Sequence, residues 1–430
     1  MSRAMKDSGI PWIGDIPKDW NVSLIASCIK EVDCRNTDGK EDNALQFKMG
    51  TIISKRNGDS KYNPETLEAY NIVKVGDIII NGLNLSFDLI SQRVGLVKEN
   101  GVITSTYIAV RPTINISNVF LTYLFKAYDN CKAFHSMGRG LRQTLSYGEL
   151  RKYYVVLPLK EEQQRIAEFL DRKCGEIDEA IALQEEFIEE LNAYKQSVIT
   201  EAVTRGLNPN VKLKDSSIDW IGKIPQGWEI CRIKNVASLF GRIGFRGYSS
   251  DDLNKEGIGA ITLSPSNMKP MAMDYSNVTY LSWEKYQESP EIMIKNGDLL
   301  MVKTGSSFGK VSLVENLPCE ATINPQILRI VPKDNSKYLG YYLQTSLFVD
   351  QVEIGVVGGT IPTISQEKVN NMFVENPPDF EQHQIADYLD NKCAEIDSLI
   401  AIKQQKIEEL KDYKKSIIYE YVTGKKEAYV

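Results

Sequence analysis

The side chains of this chain that are suited to chemistry point to binding rather than bond making. The richest run is Lys303-Thr304-Gly305-Ser306-Ser307-Phe308-Gly309-Lys310. Its glycines let the backbone come close to a phosphate, and its ammonium and hydroxyl groups can donate to an oxyanion. A nucleotide-binding loop would need the spacing GxxxxGK[ST], which is absent, so contact with a nucleic-acid backbone competes with a plain solvated hairpin. Arg139, Arg142 and Gln143 lie in Gly138-Arg139-Gly140-Leu141-Arg142-Gln143, a flexible loop fitted to phosphates and base edges. In Asn81-Gly82-Leu83-Asn84, Asn81 and Asn84 could read adenine edges or merely cap a turn. Lys55, Arg56 and Asn57 form a weaker version of the same idea. Thr262, Ser264, Asn324 and Gln326 stand beside expected strand ends, where polar side chains more often form turns than read bases.

Catalytic groupings are hard to assemble. Two histidines occur, His135 and His383, far apart in sequence, and the seven cysteines form no CxxC pair. Neither a metal site nor a Ser-His-Asp centre is expected from so sparse a set. Asn376-Pro377-Pro378 is similar to the N-P-P-[YF] motif of adenine methyltransferases, but Asp379 follows in place of an aromatic residue. No strand–GxG–helix cofactor loop precedes it, and Gly257-Ile258-Gly259 sits in a polar stretch. The chain is expected to be non-catalytic and to carry no cofactor of its own.

The elements that must position these groups come from an internal duplication. KDSGIPWIGDIPKDW at residues 6–20 matches KDSSIDWIGKIPQGW at 214–228, and residues 162–204 match 381–423 at 24 of 43 positions. Between these blocks the halves diverge, although Val75-Gly76-Asp77-Ile78 and Asn296-Gly297-Asp298-Leu299 keep one turn-and-strand pattern. The 43-residue block lacks proline, and its apolar residues recur every seven positions. Leu170, Ile177, Ile181, Ile188 and Leu191 in the first copy answer to Leu389, Ile396, Ile400, Ile407 and Leu410 in the second. This rhythm predicts two long helices that bury each other's seams as a coiled coil within the chain. Antiparallel pairing would make a pseudo-twofold object. The fold class expected is α/β (α+β), with two globular domains separated by two long helices. Their bounds are expected at 1–157, 158–206, 207–376 and 377–430.

Charge agrees with this division. The net charge is -6. Most of the acidity falls in the two helical segments, while residues 14–157 carry an excess of cations and 222–376 are nearly neutral. Electrostatics alone therefore does not prove nucleic-acid binding. No apolar run is long enough to span a membrane and no secretory signal opens the chain, so a cytoplasmic protein is expected.

The duplication, the paired W-I-G-x-I-P-x-x-W blocks and the helix lead-ins LPLKEEQQRIA (157–167) and PPDFEQHQIA (377–386) together resemble the specificity subunit of type I restriction-modification systems. The resemblance covers essentially the whole chain. It implies two target recognition domains that read the halves of a bipartite, asymmetric sequence in double-stranded DNA, with the helices as spacer. It also implies two modification subunits as partners, supplying S-adenosylmethionine chemistry, and restriction subunits using ATP and Mg. A related fused restriction-methylation system and a coiled-coil scaffold with no DNA role are the competing readings.

Overall fold

The computed structural model describes residues 3–55, 67–140, 143–242, 244–356 and 362–428. Arg56, Asn57 and Arg142 lie outside the described residues. The chain forms two compact units, residues 1–185 with 404–430, and residues 186–403.

Two long helices, Lys160–Arg205 and Asp379–Val422, contribute to both units. The first has 46 residues, about 70 Å at the usual α-helical rise. Within the first unit, Lys414 Nζ pairs with Asp178 at 2.6 Å and the rings of Phe169 and Tyr421 stand 4.3 Å apart. Within the second unit, Lys195 Nζ pairs with Asp397 at 2.7 Å and Lys403 Nζ lies 4.8 Å above the Phe187 ring. In each unit, rising numbers on one helix meet falling numbers on the other, so the helices pair antiparallel. Leu170, Ile177, Leu389, Ile396 and Ile407 are buried on the seam. Ile181, Ile188, Leu191, Ile400 and Leu410 are half-buried. Lys403, a polar interruption of the heptad, is thus accommodated by an aromatic face.

Each unit carries a four-stranded antiparallel sheet of one topology. In the first the order is Ile29–Glu31, Ile108–Pro112, Ile78–Ile80, Val94–Leu96. In the second it is Ala237–Gly241, Ile327–Pro332, Leu299–Val302, Val311–Leu313. The shared Gly-Asp sequence has a structural cause. Gly76 and Gly297 adopt φ of 93° and 91°, a region costly to other residues. The buried carboxylate that follows accepts a backbone N–H, from Lys74 to Asp77 at 2.8 Å and from Lys295 to Asp298 at 2.6 Å. It then pairs with an arginine of the adjacent strand, Arg111 or Arg329, each at 2.7 Å. The second unit adds a sheet of order Leu253–Asn254, Thr279–Leu281, Ala260–Leu263, Ala321–Ile323, whose last pair is parallel and which has its own apolar core.

Candidate nucleic-acid interface

The paired tryptophan blocks are where each unit's globular part grips the helices. Each block is a hairpin, Met5–Asp7 with Asp15–Pro17 and Leu213–Asp215 with Lys223–Pro225. Trp20 and Trp228 are buried, and their indole N–H groups donate to the first-turn glutamates of the long helices. Trp20 Nε1 reaches Glu162 at 3.1 Å and Trp228 Nε1 reaches Glu381 at 2.6 Å. Closed within the protein, these rings serve as staples and not as stacking platforms for bases. The buried amides of Gln163 and Gln382 donate at 3.0 Å to the carbonyls of Pro158 and Pro377, closing each helix lead-in. Pro377 therefore belongs to a helix start, whatever its likeness to a methyltransferase motif.

In the second unit, four loops meet at one end of the sheets. Lys303 N donates to Gln326 O at 2.8 Å, Ile364 N to Lys303 O at 3.1 Å, and Asn324 N to Leu263 O at 3.0 Å. The run from Lys303 to Lys310 is thereby joined to Asn324, Gln326 and the loop at Ser264. Gly305 and Gly309 hold φ of 110° and 80°, so the sharp path of this loop depends on glycine. Ser306 and Gln326 are exposed, while Lys303, Thr304, Ser307 and Lys310 are half-buried. Burial pushes the Lys303 ammonium below its ordinary range. An anion beside it would offset part of that desolvation cost. Thr262 and Asn324 are buried. Thr262 Oγ1 bonds the Tyr248 hydroxyl at 3.4 Å, and Asn324 Oδ1 accepts from Gln326 N at 2.9 Å. Both support the loops from below. Ser264 Oγ engages Ser266 and Asn267, forming a cap over a short helical turn.

In the first unit, the loop after Ile78–Ile80 meets the loop at 138–145. Leu145 N donates to Gly82 O at 2.9 Å and Leu85 N to Gln143 O at 3.2 Å. Asn81, Asn84, Arg139 and Gln143 are thus brought together. Asn81 Oδ1 accepts from Leu83 N at 3.1 Å, an Asx turn, and Asn84 adopts φ of 52°. Arg139 is exposed, with Glu149 at 3.7 Å. Lys55 follows the hairpin Leu45–Lys48 and Thr51–Ser54, and its backbone N–H donates to Ala44 O at 2.9 Å.

One organising residue escaped sequence reasoning. Arg93 is fully buried and its guanidinium donates to three carbonyls of a single loop, Asn81 at 3.1 Å, Leu83 at 2.8 Å and Asp88 at 2.7 Å. A rigid cage of this kind holds Phe87, Leu89 and Ile90 out in solvent. The signal was the run Phe87, Leu89 and Ile90 in a segment otherwise marked as a loop by its Asn, Gly and Ser residues. Among the described residues no cluster of metal-ligating side chains is present, and no helix is long and apolar enough to cross a membrane.

Comparison with known proteins agrees with this architecture. Residues 17–193 and 225–412 match the family described as the type I restriction modification DNA specificity domain. The type I restriction enzyme MjaVIII specificity subunit of Methanocaldococcus jannaschii is 23% identical over 421 residues, covering 95% of this chain and 93% of that protein. The type I restriction enzyme EcoDI specificity subunit of Escherichia coli is 24% identical over 405 residues, covering 90% and 84%. A chain from a structural study of type I R-M complex assembly and conformational transition shares the fold. Its TM-score is 0.69 at 16% identity, with 95% of this chain and 98% of that one covered. With two matches that together span most of its length, each centred on one of the repeats, this chain belongs to the type I restriction-modification DNA specificity family.

Proposed function

We propose that this chain reads a bipartite, asymmetric DNA sequence for a type I restriction-modification enzyme, one half-site per repeat. In this reading it docks two modification subunits and the restriction subunits, and its partners carry the catalysis. The observation that carries the reading is the coupling of unlike loops to a like frame. The helix pairing, the Gly-Asp-Arg brace and the tryptophan staple recur in both repeats. The loops at the sheet ends differ, with Asn81 and Asn84 in the first repeat where the second has Lys303, Ser306 and Lys310. A repeated frame with divergent tips suits a gapped target with two different halves, because the sequence information resides in side chains that reach base edges. The residues assigned to contact are Lys55, Asn84, Arg139, Gln143, Lys303, Thr304, Ser306, Ser307, Lys310 and Gln326, with Arg56, Asn57 and Arg142 beside them in sequence.

Methylome sequencing of cells expressing the chain with a modification subunit tests this directly. A split adenine-methylated motif should be present and should vanish when the chain is deleted. An unchanged methylome would exclude the assignment, and equal binding to all duplexes at every salt concentration would favour the scaffold reading.

A further inference from the structure

The repeats share a polar group of side chains where the globular part meets the helices, and they differ in how it is neutralised. In the first unit, Tyr123 Oη donates to Asp171 at 2.8 Å and Lys414 pairs with Asp178. In the second, Tyr341 Oη donates to Asp390 at 2.8 Å and Lys195 pairs with Asp397. The helices bearing these tyrosines start at equivalent caps, Ser117 and Asn335, so Val119 stands at the place of Lys337. The strands Val94–Leu96 and Val311–Leu313 likewise place Lys98 opposite Glu315. In the second unit Lys337 bridges Asp390 at 2.5 Å and Glu315 at 3.7 Å, so both ammonium groups, Lys195 and Lys337, are paired and three carboxylates outnumber them.

The first unit has no such bridge. Val119 supplies no charge, and Lys98 and Lys126 replace Glu315 and Gln344. Here the same place is a cavity of about 450 Å³, bordered by Lys98, Lys126, Lys414, Asp171, Asp178 and Gln92. Three ammonium groups face two carboxylates, which leaves one positive charge in excess. Asp178 is already engaged by Lys414 and Asp171 by Tyr123. Among the described residues neither Lys98 nor Lys126 has a hydrogen-bond or ion-pair partner, and Lys126 has only the Tyr123 ring at 5.6 Å. Burial, and then the nearby Lys414, push the Lys126 ammonium below its ordinary range. A partly desolvated cation without a counter-ion is costly, and an entering oxyanion would relieve that cost.

We infer that the cavity between the first globular part and the helix pair of the first unit is a binding site for a small phosphate-bearing anion, held by Lys126, Lys98 and Lys414. Several donors converging from different elements suit a multiply hydrogen-bonded oxyanion better than a single carboxylate. The site is separate from the loops assigned to DNA and does not depend on that assignment.

Titration of the full-length chain with inorganic phosphate and with AMP, read by ³¹P NMR line broadening and calorimetry, tests the inference. Saturable binding is expected, weakened about tenfold or more by Lys126→Met, as loss of a charge-assisted contact implies. Lys126→Arg should retain it, and Lys337→Met in the other repeat should leave it unchanged. Thermal melts without ligand confirm that each variant is folded. Absence of saturable binding, or binding undiminished in folded Lys126→Met, overturns the proposal. A final arm adds saturating duplex DNA. Phosphate binding that persists supports a free-anion site, whereas displacement assigns the cavity to the DNA backbone and overturns it.

Discussion

Glu375 and Val156 hold equivalent positions in the strands that lead into the long helices, and both are buried. Val156 lies in an apolar core with Phe120 and Leu124. Glu375 lies near Tyr338 and Tyr342, and its Oε2 and the Tyr342 hydroxyl lack partners among the described residues. Burial pushes the Glu375 carboxyl up to about 8. The folded chain therefore keeps this proton to higher pH than the unfolded chain, which releases it near the ordinary glutamate value. Its contribution to stability is full below that value and is lost as pH rises through about 8. Glu375→Val should flatten the decline of Tm between pH 5 and 8.5. At the upper end it should raise stability by on the order of 2 kcal/mol. Identical pH slopes for the two proteins would contradict this account. The staple gives a second prediction at this scale. Trp20→Phe and Trp228→Phe keep an aromatic ring but lose the donor to a carboxylate and part of the buried indole volume, at about 2–4 kcal/mol each in urea unfolding. A cost near zero would show that the indole bond does not anchor the helix start.

At the level of elements, the helices depend on each other's seam more than on their intrinsic propensity. Leu389 is fully buried, whereas Leu399, ten residues on in the same helix, is 48% exposed. Leu389→Ala should cost about 2–5 kcal/mol and Leu399→Ala less than about 1 kcal/mol, measured by denaturant midpoints. Comparable losses would mean that the helix is held by something other than its seam. The cross-helix pairs of Lys195 with Asp397 and Lys414 with Asp178 are partly solvated, so they specify register more than they add stability. Under the proposed function, seven residues added to both helices keep the heptad register and add about 10 Å of rise. The methylated motif should then keep both half-sites and widen its gap. Altered half-site letters would refute the spacer role.

For the whole molecule, the duplication predicts modular behaviour. Under the proposed function, replacing residues 222–376 with the corresponding domain of another family member should change one half of the methylated motif and leave the other intact. Changes in both halves would mean that the repeats do not read independently. The two long helices and their seams were legible in advance, because a heptad rhythm sustained over 43 residues leaves few alternatives. The loops proposed to contact DNA were less legible. Asn81 and Asn84 could cap or contact, and in the fold Asn81 caps its own turn while exposed Asn84 takes a left-handed backbone. Thr262 and Asn324 carry the same polar groups as their exposed neighbours, yet they fold inward. Arg93 resembled any surface arginine until three carbonyls closed around its guanidinium.

Repetition and period alone determined that this chain has two like halves and long paired helices, because those properties are written in spacing that every copy must keep. Which polar side chains face outward, which carboxylate loses its water and where a cation is left without a counter-ion were decided by tertiary structure. Burial and charge compensation depend on residues hundreds of positions apart, such as Lys414 beside Asp178, and no local pattern encodes that meeting.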